Sequence, residues 1–213
     1  MVRLLSPTSA LLATSALLRR APLATMSSAA KRVLVPVADD SEDIETACIT
    51  DVLVRAGAEV TVASVMPSLQ VRLARGLKLT ADCSIDDCAS AEWDAIACPG
   101  GMPGAENLRD SAALTALLKK QASAGKLTAA VCASPAVIFA THGILNGPAT
   151  CYPAPQFKEK VPGWAEAQAV VDGHVVTSMG PGTSLQFALK LVEILYDRAK
   201  AEEIAAQMLT TAA

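Results

Sequence analysis

"KLTAAVCASPAVIFA", residues 126–140, decides the fold. Its first seven residues are apolar and β-prone and end at Cys132. Ala-Ser-Pro follows at once and opens an apolar run of helical character over 134–145. A strand that passes directly into a helix is the building unit of a layered α/β domain. A thiol at that junction has two advantages. The tight turn pushes the sulfur into the open, as in a nucleophile elbow, and a helix N-terminus stabilises a thiolate. Pro135 takes an early helical position, where its missing N–H costs nothing. The plainer account of Cys132 is a small buried hydrophobe.

The same alternation extends in both directions. "RVLVPVA" (32–38), "EVTVASV" (59–65) and "DAIACPGG" (94–101) read as strands. "DDSEDIETACITDVLVRAG" reads as a helix with Ile44, Cys48, Ile49, Val52 and Leu53 on one face and Gly57 as its stop. "SAALTALLKKQASAG" (111–125) is a second helix. "VRLARGLKLTAD" (71–82) reads as a hairpin, and "AQAVVDGHVVTSM" (167–179) as another around Asp172-Gly173. "ATCYP" (149–153) is short and β-like, and a single long amphipathic helix capped by Thr183 or Ser184 closes the chain. This order predicts a doubly wound, mostly parallel sheet covered by helices. Ligands of such sheets bind outside the carboxyl ends of the strands. Asp39-Asp40, Pro99-Gly100-Gly101 and Cys132 should therefore face one crevice.

Composition agrees with a single core-rich domain over 31–213: of 213 residues 52% are hydrophobic, 18% charged and 3% aromatic. A net charge of −3, with no basic patch interleaved with aromatics, gives no reason to expect nucleic acid. No apolar run reaches membrane-spanning length. The six cysteines read as reduced thiols in a chain of this size. Cys83 and Cys88 have a C-x4-C spacing without a second pair, so no zinc site is expected. Residues 1–30 stand apart. They carry Ser, Ala, Leu and Arg and no acid, and the first acid of the chain is Asp39. That is the composition of a transit peptide for a chloroplast or mitochondrion. A secretory signal is the rival, and Met26 could start a cytoplasmic form.

The residues that could act on a substrate are few. His142 lies ten residues beyond Cys132 on the expected helix, too far along its axis to serve as a base. His174 follows a turn. Carboxylates are better placed. Glu42 and Asp43 suit the helix dipole, while Glu45 borders the apolar face and could be desolvated, protonated and hydrogen-bonded to a thiolate. The "PGGMPGAENL" turn lacks a phosphate-loop Lys and offers N–H groups as an oxyanion site beside Cys132.

Four stretches together, "KRVLVPVADDSEDIET", "PGGMPGAENL", "AAVCASPAV" and "TSMGPGTSLQFAL", resemble the ThiJ/PfpI superfamily. The match is to its branch containing the parkinsonism-associated protein deglycase, a glutathione-independent glyoxalase. The resemblance runs in order over about residues 30–209. It implies a flavodoxin-like sandwich, a homodimer, no cofactor and no metal. It also implies a reactive Cys132, a protonated Glu45, and oxyanion donors at the N–H groups of Gly101 and Ala133. Tyr152 stands where the branch often has a His, Ser134 where it has a Gly, and Met179 where it has an Arg or Gln. Ala133 stands where family peptidases need a His, so peptidase activity is not expected. The implied function is conversion of methylglyoxal and glyoxal to lactate and glycolate, with repair of glycated protein as related chemistry. A redox sensor or chaperone acting through oxidation of Cys132 is the alternative, and a binding protein with an inert pocket is a third. The leader is checked directly. N-terminal sequencing of protein isolated from its source should find a start between about residues 20 and 32, and an intact Met1 refutes import processing.

Overall fold

The computed structural model describes residues 30–212, so the expected leader lies outside the described residues. Among the described residues, seven strands form one sheet in the order β5-β2-β1-β6-β7-β9-β8. The strands are β1 (Arg32–Val37), β2 (Glu59–Ser64), β5 (Cys83–Ser84), β6 (Ala95–Cys98), β7 (Leu127–Val131), β8 (Ala169–Asp172) and β9 (Val175–Ser178). Every neighbouring pair is parallel except β8 with β9, the hairpin expected around Gly173. The other hairpin, β3 (Gln70–Arg72) with β4 (Lys78–Thr80), forms a separate two-stranded ribbon. This is the flavodoxin-like, doubly wound arrangement.

Alternation along β1 explains the layering. Val33, Val35 and Val37 enter the apolar core formed with α1 (Asp43–Arg55), α5 (Ser184–Leu195) and α6 (Arg198–Gln207). Leu34 points the other way, into the core under α2 (Gly104–Asp110) and α3 (Ala112–Ser123). Both faces of the strand are buried, which is why it reads as an unbroken apolar run. The chain leaves β1 toward β2 on one side and returns to β6 on the other. The strand order therefore reverses at β1, and a crevice opens there beyond the strand ends. Pairing of β1 with β6 runs through Val33–Ala95 and Leu34–Ile96. Pro36, which has no N–H to donate, lies beyond that pairing.

Four expectations need correction. Residues 134–145 do not form an α-helix; Pro135–Phe139 make a single π-helical turn that gives way to turns by Ala140. "ATCYP" is not a strand. Its backbone bonds go sideways, Tyr152 N–H to the Cys132 carbonyl at 2.8 Å and Thr150 N–H to Thr177 Oγ1 at 2.9 Å. The terminal helix is two helices, because the chain turns at Tyr196 and Asp197 caps a new one, its Oδ1 accepting Lys200 N–H at 2.8 Å. On α1, Ile44 is exposed and Cys48 only partly buried, while Glu45, Ile49, Val52 and Leu53 are buried. The buried stripe has spacing i, i+4, i+7, i+8, so Glu45 lies within it, not at its border. Helix α2 was not anticipated; it follows the glycine turn and ends where Ser111 caps α3.

The cap that divides the terminal helix is testable. Asp197→Ala should lower stability by about 1 kcal/mol, the usual value of an N-cap carboxylate, seen as a lower urea midpoint at unchanged slope. No change in midpoint would mean that α6 is held by its apolar face alone.

Candidate active site

Three strand ends meet in the crevice as expected. After β7 the chain places Cys132 at φ 64°, in the left-handed region. A non-glycine residue there is strained. The strain is held by neighbours on both sides: Cys132 N–H donates to the Ser178 carbonyl at 3.0 Å, and its own carbonyl accepts Tyr152 N–H. Ser134 Oγ donates to the Pro99 carbonyl and ties the elbow to the turn after β6.

That turn needs its glycines for space. A Cβ on Gly100 would lie 2.6 Å from Cys132 Cβ and 2.9 Å from Glu45 Oε2. Gly101 has φ 90°, and a Cβ there would lie 2.3 Å from the Asp40 carbonyl oxygen. With no side chains in the way, Gly100 N–H donates to Glu45 Oε2 at 2.7 Å. Glu45 has no solvent exposure, and its Oε1 is buried without a conventional hydrogen bond. The Cys132 thiol lies within interaction range of that carboxyl and of the Gly101 and Ala133 N–H groups. Glu45, Gly101, Cys132 and Ala133 are thus brought together.

Burial governs the protons. It raises the Glu45 pKa from 4.5 to about 7, against the lowering effects of the Gly100 N–H and the Cys132 thiol; the Glu42 charge adds a small rise. Burial first, and the Glu45 charge second, also push the Cys132 thiol up, while the Gly101 and Ala133 N–H groups pull it down. The N–H groups expected to favour a thiolate are thus in place, while the 9% exposure of Cys132 and the Glu45 carboxyl facing it act in the opposite direction. The long helix whose dipole was to stabilise the thiolate is also replaced by one turn.

The sulfur opens into a cleft of about 230 Å³. Tyr152 lines it, half exposed, and meets Phe157 edge to face at 6.4 Å. Met179 lines a shallow depression alongside, not the cleft itself. The histidines stay outside it. His142 Nε2 sits between Thr115 Oγ1 at 3.2 Å and the Arg109 carbonyl at 3.0 Å, and His174 lies in the β8–β9 turn. Two charged residues were missed. Glu42 is buried, caps α1 by accepting Glu45 N–H at 2.8 Å, and lines the cleft. Arg75 lines the opposite part, carried there by the hairpin. Asp43 anchors that hairpin, accepting Arg75 N–H at 2.7 Å and Leu77 N–H at 3.1 Å, so it does more than complement a helix dipole.

A strained cysteine elbow over a buried glutamate, at the switch point of a doubly wound sheet, defines a class of thiol sites on α/β folds. The chain belongs to the DJ-1/PfpI family, which it matches over residues 31–194. It is 45% identical over 185 residues to "Protein DJ-1 homolog B" of Arabidopsis thaliana, a match covering 85% of this chain and 42% of that relative. It thus spans less than half of that relative's length. It is 37% identical over 165 residues to "Glutathione-independent glyoxalase DJR-1.2" of Caenorhabditis elegans, covering 76% and 87% of the two chains. The solved structure titled "Toxoplasma gondii DJ-1, oxidized" superposes with a TM-score of 0.82 at 51% identity, covering 85% of this chain and 99% of that one.

The raised Glu45 pKa has a consequence for stability. The folded state holds this proton more tightly than the unfolded chain does, so its contribution is complete below pH 4.5 and is lost as pH rises through about 7. The difference amounts to about 3 kcal/mol. Wild-type stability should therefore fall between pH 5 and 8 relative to Glu45→Gln, in parallel urea titrations. Parallel pH curves for the two proteins would show that Glu45 ionises as if in water.

Proposed function

We propose that the protein is a glutathione-independent glyoxalase, using Cys132 as nucleophile and Glu45 as acid and base. The observation that carries this reading is the grouping of one thiol and two N–H donors at the lining of an open cleft, with one carboxyl titrating near neutrality buried against the thiol. A general acid–base is most effective when its pKa lies near the working pH. As carboxylate, Glu45 takes the thiol proton while sulfur adds to the aldehyde carbon of methylglyoxal. The oxyanion formed accepts hydrogen bonds from Gly101 and Ala133 N–H. Glu45 passes its proton to that oxygen, completing the hemithioacetal. It then removes the hydrogen of the former aldehyde carbon to give an enediolate; the hydroxyl proton on that carbon moves to the neighbouring oxygen, and Glu45 returns the proton it abstracted to the adjacent carbon. The product is a lactoyl thioester. Water cleaves it to lactate and restores the thiol. Tyr152 offers a hydroxyl to the substrate from the wall. Glyoxal gives glycolate by the same steps, and an early glycation adduct enters at the hemithioacetal stage.

The burial of Cys132 favours this reading over a sensor. A sensor needs a standing, exposed thiolate, whereas turnover needs only a transient one made by Glu45. A homodimer and a small dicarbonyl substrate are part of the proposal.

Lactate formation from methylglyoxal without glutathione tests it. Cys132→Ala should abolish turnover, while Cys48, Cys83, Cys88, Cys98 and Cys151 substitutions should keep most of it. Glu45→Gln should lose about 10²-fold or more in kcat. The wild-type rate should rise with pH through about 7, as Glu45 becomes a base, and that limb should vanish in Glu45→Gln. Turnover retained by Cys132→Ala refutes the mechanism.

A further inference from the structure

A second pair of thiols lies far from the cleft in sheet order. Cys83 begins β5, the edge strand, and Cys88 ends the 3-10 turn Ile85–Cys88 that follows. The turn folds the chain back on itself. Ser84 Oγ accepts Asp86 N–H at 3.3 Å, and Asp87 Oδ2 accepts Ser84 N–H at 3.2 Å. That return brings the two sulfurs to 3.6 Å. Cys88 is 3% exposed and packed in the core with Ile85 and Trp93, while Cys83 is only partly buried. A disulfide bond is about 2.0 Å long. Side-chain rotation can supply the remaining approach, because both residues sit on one short, capped turn.

We propose that Cys83 and Cys88 form a reversible dithiol–disulfide site that exchanges with low-molecular-weight disulfides, independently of Cys132. Exposure assigns the roles. The Cys83 thiolate, its proton given to solvent, attacks one sulfur of the external disulfide and expels the first small thiol. Cys88 then loses its proton and attacks the Cys83 sulfur of the mixed disulfide. The second small thiol leaves as thiolate and takes up a proton. Two electrons pass from the protein pair to the external disulfide, which is reduced to two thiols. Burial, then the neighbouring Cys83 thiol, pushes the Cys88 thiol up to about 12. Cys88 is thereby quiet toward outside reagents, and the part due to Cys83 disappears once Cys83 is in the mixed disulfide. The C-x4-C spacing, read as zinc-incompetent from sequence, thus serves a two-sulfur chemistry that needs no further ligand. Among the described residues no group of three or more His, Cys, Asp or Glu is placed to hold a metal ion.

The test uses the full chain, reduced and then equilibrated with oxidised glutathione. Acid quenching, alkylation in denaturant and peptide mass spectrometry follow. The peptide carrying Cys83 and Cys88 should be lighter by two hydrogens and unalkylated at both, and should regain two alkyl groups after dithiothreitol. Cys88→Ser should trap glutathione on Cys83, and Cys83→Ser should leave Cys88 free for alkylation. The disulfide should form equally in Cys132→Ser. Alkylation of both cysteines in oxidised wild type, a bridge from either to a different cysteine, or loss of the bridge in Cys132→Ser would each overturn the proposal.

Discussion

A carboxyl group without contact with water sits between two strand ends, and the surrounding structure is arranged to keep it there. Glu45 is placed by the apolar stripe of α1, because it shares a face with Ile49, Val52 and Leu53. Its one strong partner is the Gly100 N–H. That bond requires a residue without Cβ at 100, since any side chain would strike Cys132 and Glu45 together. The close approach of Gly101 to Asp40 follows from the same packing. The strained geometry at Cys132 is thus a by-product of how tightly three strand ends are drawn around one acid.

This arrangement carries two costs that the rest of the fold must offset. The left-handed backbone of Cys132 costs of order 1–3 kcal/mol, and the buried carboxylate costs a similar amount above neutrality. The layered core supplies the compensation. Residues such as Phe187, Leu34, Ile49 and Leu53 are fully buried on the two faces of the sheet, each stabilising the fold by about 1.5–3 kcal/mol. Functional strain is tolerable at the crevice because the aliphatic sandwich behind it is complete. The polar groups of the elbow are satisfied as well, by Ser178, Tyr152 and Pro99.

The parallel sheet was legible because its central strands β1 and β6, buried on both faces, are apolar runs bounded by turn residues. The elbow was legible for a similar reason: Cys132 marks a change of period from strand to turn. What escaped depended on neighbours distant in sequence. "ATCYP" has strand-like composition, yet its hydrogen bonds are set by Cys132 and Thr177. The apolar period of the last helix continues across Tyr196, and only the cap at Asp197 shows that it is interrupted. Arg75 reaches the cleft because a hairpin folds back onto Asp43, a contact with no local signature. The burial of the thiol was not legible either, because exposure cannot be inferred from the turn alone. Glu45 was identified but set at the margin of a stripe in which it is fully enclosed.

The backbone of Cys132 is pinned by residues that follow it in the chain. Its N–H is taken by Ser178 and its carbonyl by Tyr152, both synthesised after it, and its acid partner comes from the first helix. Contacts of such sequence separation form late in folding. During synthesis, then, Cys132 precedes the strand whose Ser178 carbonyl takes its N–H, and that bond waits on the pairing of β9 with β7. A chain stopped short of Ser178 keeps every residue of the proposed chemistry, yet lacks the β9 carbonyl that takes the Cys132 N–H. The last strand acts as a safety catch, withholding the finished site until the sheet that contains it is closed.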